Sequence, residues 1–271
     1  MSKNNQPIVI ITLIILVYTA LNILSLNFYY FWDNIQQVSK EAHWYYLTNF
    51  KSLLMPAQNS GAEIVATGYH PPLMGIITAA LWKVFGYHLW VSHVFSLCWF
   101  FVLIYNLRET ANRLFNHNLA PWVLAIVLLE PTLLTQFIIA SPDFILFTAF
   151  IISLRAILER KSILLTIGIF FLCTINMRGI FVGSALFISH LYYIYSDKQS
   201  LSKSYLKALI PYLPTFVILL TYFSYYLISR GWFFSNSSYS EHYGLPNSPF
   251  RIIKHIAEFG LRSIENGRIL T

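Results

Sequence analysis

Residues 8–30 read IVIITLIILVYTALNILSLNFYY, a run of 23 residues with no charge, preceded by the lone basic residue Lys3. Crossing the roughly 30 Å hydrocarbon core of a bilayer takes about 20 helical residues. A cleaved signal peptide has a shorter apolar core and a small-residue cleavage site. This run is longer and shows no such site, so it reads as a retained membrane helix. The rest of the 271-residue chain agrees: 56% of it is hydrophobic, 11% is charged, and its mean hydropathy is +0.58. Soluble domains are about 45–50% apolar and about 25% charged. The 17% of aromatic residues fits the same class, because Tyr and Trp collect at bilayer interfaces. The net charge of +7 is spread over short loops between apolar runs, with no basic stripe interleaved with aromatics, which sets nucleic acid aside as a partner. Cys98 and Cys173 both fall in apolar runs and read as buried small hydrophobes, with neither a disulfide framework nor a metal site.

Downstream of the first run, residues 31–70 form a polar stretch holding Asp33, Lys40, Glu41, Lys51 and Glu63. Inside it Ile35, Val38, Ala42, Tyr45, Tyr46 and Phe50 recur at helical spacing, which predicts a helix lying on the membrane surface. Apolar runs follow at 72–86, 89–107, 119–140, 143–158, 163–177, 179–196 and 208–228. Residues 229–271 are mixed and polar and read as an extracytoplasmic tail behind a membrane-embedded module of residues 1–228. The 72–86 run is short, about 22 Å at 1.5 Å per residue, and is expected to dip into the membrane rather than cross it. With the amino terminus inside, that reading puts nine basic residues in the cytoplasm (Lys3, Arg108, Arg113, Arg155, Arg160, Lys161, Lys198, Lys203, Lys207) and four outside (Lys40, Lys51, Lys83, Arg178). The division follows the positive-inside tendency. A fully crossing segment with the amino terminus outside satisfies that tendency equally well, so charge alone leaves two topologies.

Five landmarks occur in order. Asp33 ends the first run, YHPPL occupies 69–73 and WKVFG occupies 82–86. Pro131 lies twelve residues before Asp143 in SPD (141–143), and MRG occupies 177–179. In this order and spacing the chain resembles the amino-terminal half of the polyprenyl-phosphate-dependent type C glycosyltransferases, which include protein O-mannosyltransferases and lipid A aminoarabinose transferases. The resemblance covers roughly residues 30 to 195. It implies an all-α polytopic fold of about seven transmembrane helices, with a dipping segment and a surface helix in the first extracytoplasmic loop. It also implies that the counterparts of Asp33 and Asp143 share the extracytoplasmic side, which selects the dipping topology with the amino terminus inside. Asn34 stands where relatives carry a second acid, Tyr69 where many have Glu and His70 where they have Lys. In some relatives that Glu contributes to a metal site; with Tyr69 in its place, and no His or Cys cluster elsewhere, neither a metal nor a cofactor is expected.

What the resemblance implies chemically is displacement at a sugar's anomeric carbon with a lipid phosphate as leaving group. One carboxylate then suffices to accept the proton of the attacking hydroxyl, and cations must stabilise the departing phosphate. Asp33 is the candidate base, the alternative being a solvated acid at a helix end. Asp143 is a candidate substrate-binding residue, or a helix N-cap or first-turn acid that favours the helix dipole. Arg178, between two apolar runs, is a candidate phosphate ligand, or an interfacial arginine extending its head to water. Pro71 and Pro72 pin His70 at the mouth of the short segment, where a helix N-terminus suits an anion; the alternative is an interfacial histidine without a ligand. Glu130 sits mid-run in 119–140, where a carboxylate is costly, and has no assigned role. The expected activity is therefore a glycosyltransferase of the cytoplasmic membrane with its site facing outward. It takes a polyprenyl-phosphate-sugar donor and a glycan, lipid or protein acceptor. A flippase or transporter for a lipid-linked sugar, or a truncated non-catalytic relative, are the alternatives.

Overall fold

The computed structural model describes residues 6–31, 34–55, 58–60, 63–65, 70–115, 119–196 and 208–230. Helix α1 (Gln6–Ser25) is followed by a single π-helical turn (Ile35–Ser39) that runs into α2 (Lys40–Thr48). Strands β1 (Gln58–Ser60) and β2 (Glu63–Val65) pair antiparallel, with Gln58 opposite Val65. Then come α3 (Leu73–Phe85), α4 (Leu89–Leu114), α5 (Ala120–Leu128), α6 (Pro131–Ile138), α7 (Pro142–Glu159), α8 (Ser162–Ile175) and α9 (Met177–Ser196). A 3-10 turn (Ile210–Tyr212) leads into α10 (Leu213–Arg230). The protein is an all-α membrane protein apart from that small hairpin. Among the described residues four helices are long and apolar enough to cross a bilayer, in α1, α4, α9 and the turn leading into α10, and the bent pair α5–α6 makes a fifth. The cytoplasmic loop expected at 197–207 and the tail from 231 onward lie outside the described residues.

The core forms where aromatic faces of α1, α4, α6 and α7 meet. Tyr18 stacks on Phe100 with centroids 4.1 Å apart and meets Phe137 at 4.7 Å, and Phe137 in turn meets Phe144 at 5.2 Å. All four side chains are fully buried. The 119–140 run is broken rather than continuous: α5 and α6 meet at 59°. The cause is local. Pro131 removes a backbone N–H and cannot continue the helix before it, so α5 ends at Leu128 with carbonyls left over. The Tyr18 hydroxyl donates to the Leu128 carbonyl at 2.7 Å, and the Glu130 carboxylate accepts from the Leu133 N–H at 2.8 Å. Glu130 is thus not an isolated charge at the centre of a span. It is the exposed N-cap of α6, with Pro131 at the first helical position as the geometry favours.

The surface helix is present, but its apolar stripe faces α3. Val38, Ala42 and Tyr45 are buried, while Ile35 and Phe50 are about 40% exposed, Phe50 stacking flat on Tyr45. Lys83 ties the far end, donating to the Asn49 side chain at 2.6 Å and lying over the Tyr46 ring. Helix α3 has 13 residues, about 20 Å, short of a bilayer core as the sequence predicts. Cys173 is buried against α9, whereas Cys98 is exposed on the outer face of α4, contrary to its reading as a buried hydrophobe. A helix facing lipid places apolar side chains outward, so residue type alone does not separate core from lipid surface.

Tyr18→Phe keeps the ring stack and removes the hydroxyl, leaving the Leu128 carbonyl unsatisfied at the α5–α6 break. The expected cost is about 1–3 kcal/mol of stability. Thermal unfolding of the detergent-solubilised protein checks this, with Tyr192→Phe, exposed on α9, as the variant expected to change nothing.

Candidate functional site

Helices α3, α7 and α9 all begin at the same end of the bundle, so three positive dipole ends gather there. Three of the four sequence-predicted site residues sit at those starts. Asp143 lies in the first turn of α7, where Ser141 is the cap and accepts from the Asp143 N–H at 3.2 Å. Arg178 lies in the first turn of α9 and donates through Nη1 to Asp143 Oδ2 at 3.1 Å. His70 precedes α3, and its Nδ1 faces the Met177 N–H at 3.5 Å. Asp33, the candidate base, lies outside the described residues. Its neighbour Asn34 is buried and donates to the Ile139 carbonyl at 2.9 Å, four residues before Asp143.

The link between α8 and α9 fixes this geometry. Asn176 is the single extended residue between them and is buried. Its side-chain oxygen accepts from the Arg178 N–H at 3.1 Å and its carbonyl from the Gly179 N–H at 2.9 Å. Gly179 lies so close to α8 that a Cβ there would stand 1.7 Å from the Leu172 carbonyl oxygen. MRG therefore has a packing reason for its glycine, and that packing leaves Arg178 turned outward: its side chain is 65% exposed and that of Asp143 35%. An exposed pair of this kind contributes about 0–1 kcal/mol to stability. Its use is positional, since Asp143 holds the guanidinium fork in one place at the surface while leaving donors free.

Two residues that sequence reasoning missed belong to this neighbourhood. The Tyr222 hydroxyl on α10 donates to the His70 carbonyl at 3.0 Å, tying the last described helix to the PPL turn. A partner 152 residues away leaves no local signal. Beside the turn, Pro71, Pro72, Leu73, Ile76, Thr174 and Tyr222 line an apolar cavity of about 530 Å³ between α3, α8 and α10. The second is Glu41 on α2. It is 3% exposed, against the first turn of α3, where a Cβ on Gly75 would stand 2.6 Å from Glu41 Cβ and 3.0 Å from its Oε2. Among the described residues no ion pair or hydrogen bond meets its carboxylate, and burial holds its pKa well above the usual carboxylate range. Its signal was present, because Val38, Glu41, Ala42 and Tyr45 stand at i, i+3, i+4 and i+7, the buried stripe of a helix.

Among the described residues no group of three or more His, Cys, Asp or Glu is placed to hold a metal. Of the buried histidines, His93 serves structure, with Nε2 3.1 Å from the Phe28 carbonyl, while its own carbonyl accepts from Asn22 at 2.7 Å. No family model, curated protein or solved structure matches the chain.

Because folded Glu41 keeps a proton that the unfolded chain releases above the ordinary carboxylate range, raising the pH favours unfolding. Wild-type thermal stability should fall as the pH rises above the ordinary carboxylate range, and Glu41→Gln, which cannot ionise, should flatten that slope. A slope unchanged by the substitution would show that the fall has another source.

Proposed function

We propose that the protein is a membrane glycosyltransferase that moves a sugar from a polyprenyl-phosphate donor to an acceptor hydroxyl, on the extracytoplasmic face of the cytoplasmic membrane. The observation that carries this reading is the Asp143–Arg178 pair at 3.1 Å, set at converging helix N-termini beside His70 and an apolar cavity. A lipid phosphate needs a cationic, donor-rich point at the membrane surface next to room for hydrocarbon, and this end of the bundle offers both. The ordered motifs shared with the type C enzymes support the same reading. In it the Arg178 fork and the helix N-termini hold the phosphate and stabilise the charge that develops as it leaves. Asp33 takes the proton of the attacking hydroxyl. Asp143 keeps Arg178 in register, and His70 offers a hydrogen bond where relatives use a lysine.

A second reading, movement of a lipid-linked sugar without chemistry, draws on the broken α5–α6 segment, since interrupted helices are common in transporters. Transfer of radiolabelled sugar from donor to acceptor by purified protein in lipid separates the two.

In that assay Asp33→Asn should lower turnover by about 10²–10⁴ with donor binding largely spared. Arg178→Gln should weaken donor binding as well as turnover. Because the side chain is largely exposed and screened, the expected loss of affinity is about tenfold, or ~1.4 kcal/mol. Arg178→Lys should recover only part of it, because an ammonium cannot reproduce the planar fork. Wild-type turnover in Asp33→Asn would remove the base assignment.

A further inference from the structure

The seam between α1, α4 and α5 is open. At one end of the bundle these helices leave a cavity of about 470 Å³ whose walls include Ile8, Ile11 and Thr12 of α1, Arg108 and Asn112 of α4, and Leu124 of α5. This is the end opposite the Asp143–Arg178 pair. Arg108 lies in the last turns of α4, whose Arg113 reaches Glu159 at the end of α7, whereas Asp143 begins α7. The cavity therefore lies at the depth where a span meets the headgroup region, one to two turns from the end of each helix.

Its walls have two characters. Ile8 and Ile11 give an apolar side continuous with the lipid-facing surface of α1, with the buried Leu124 at its floor. Arg108, Asn112 and Thr12 bring a guanidinium, an amide and a hydroxyl to the same space. Among the described residues none of these three side chains has a hydrogen-bond or ion-pair partner. The neighbouring cations differ: Arg155 and Lys161 are each bonded to the Glu159 carboxylate, at 3.0 and 2.7 Å. Among the described residues no acid lines the cavity to neutralise Arg108.

A gap on the membrane face of a protein is filled by what surrounds it. Hydrocarbon alone would strand the five donors of Arg108, and water alone would wet three apolar walls. A phospholipid with a net negative headgroup meets both demands. Its phosphodiester takes the guanidinium fork in the bidentate geometry arginine favours, and an acyl chain runs along the apolar side. A zwitterionic headgroup adds a cation beside Arg108 with no carboxylate to receive it. Basic pockets between transmembrane helices hold anionic headgroups by this logic.

We propose that this cavity binds one anionic phospholipid, with its phosphodiester on Arg108 and Asn112 and an acyl chain against Ile8 and Ile11. The site is independent of the sugar-transfer reading, being at the other end of the bundle.

Native mass spectrometry of the full chain in detergent, with added phosphatidylglycerol or phosphatidylcholine, tests it. One phosphatidylglycerol should stay bound under activation that strips phosphatidylcholine. Arg108→Gln should lower its occupancy about tenfold, the loss of one charge-assisted contact. Thr12→Trp, which fills the cavity without touching the charge, should lower it too, while Arg113→Gln, outside the cavity at the same end, should retain it. Three results would overturn the proposal: equal retention of the two lipids, displacement of phosphatidylglycerol by inorganic phosphate, or wild-type occupancy in both Arg108→Gln and Thr12→Trp.

Discussion

Between Ile175 and Met177 the chain has one residue, Asn176, in which to leave α8 and start α9. Everything at the candidate site follows from how that reversal is made. An extended Asn176 whose side chain caps the new helix lets α9 fold back directly on α8, and only a glycine at 179 allows the approach. The reversal places Arg178 on the first turn, turned away from α8 and toward the start of α7. There Asp143 meets it at 3.1 Å. It also turns the Met177 N–H toward His70. A longer loop would let the arginine wander as an ordinary interfacial side chain does. Here the position of its charge is set by backbone packing, and the ion pair trims the remaining freedom.

How much of this could be read in the sequence depends on whether the information is local. The lipid-crossing helices announce themselves because lipid demands apolar side chains on every exposed face, as in residues 8–30. His70, Asp143 and Arg178 were legible as candidates because they stand in the ordered motifs YHPPL, SPD and MRG at the ends of apolar runs. Their convergence was not legible, since it depends on the α8–α9 reversal and on Tyr222, far along the chain. Glu130 shows a different failure. An acid followed by proline is a helix-start signal, but apolar residues on both sides made the segment read as one span, and the carboxylate as a cost instead of a cap. Asp33 lies outside the described residues, so its role rests on the order of the motifs alone.

Glu41 was hidden by the opposite error. A glutamate in a polar stretch reads as solvated, yet helical spacing puts it on the buried stripe of α2, and Gly75 makes the space for it. The consequence is mechanical: α2 docks on α3 through a buried carboxyl group whose pKa burial raises, next to the start of α3 where the PPL turn and His70 lie.

The central claim is that the chain transfers a sugar and that Arg178 is needed to do so. Mass spectrometry of surface glycans and lipids, from cells lacking the gene and cells carrying wild-type or Arg178→Gln chains, addresses it directly. One sugar modification should be absent without the gene, restored by the wild type, and weak or missing with Arg178→Gln at equal protein level. Identical profiles in all of these cells would contradict the account.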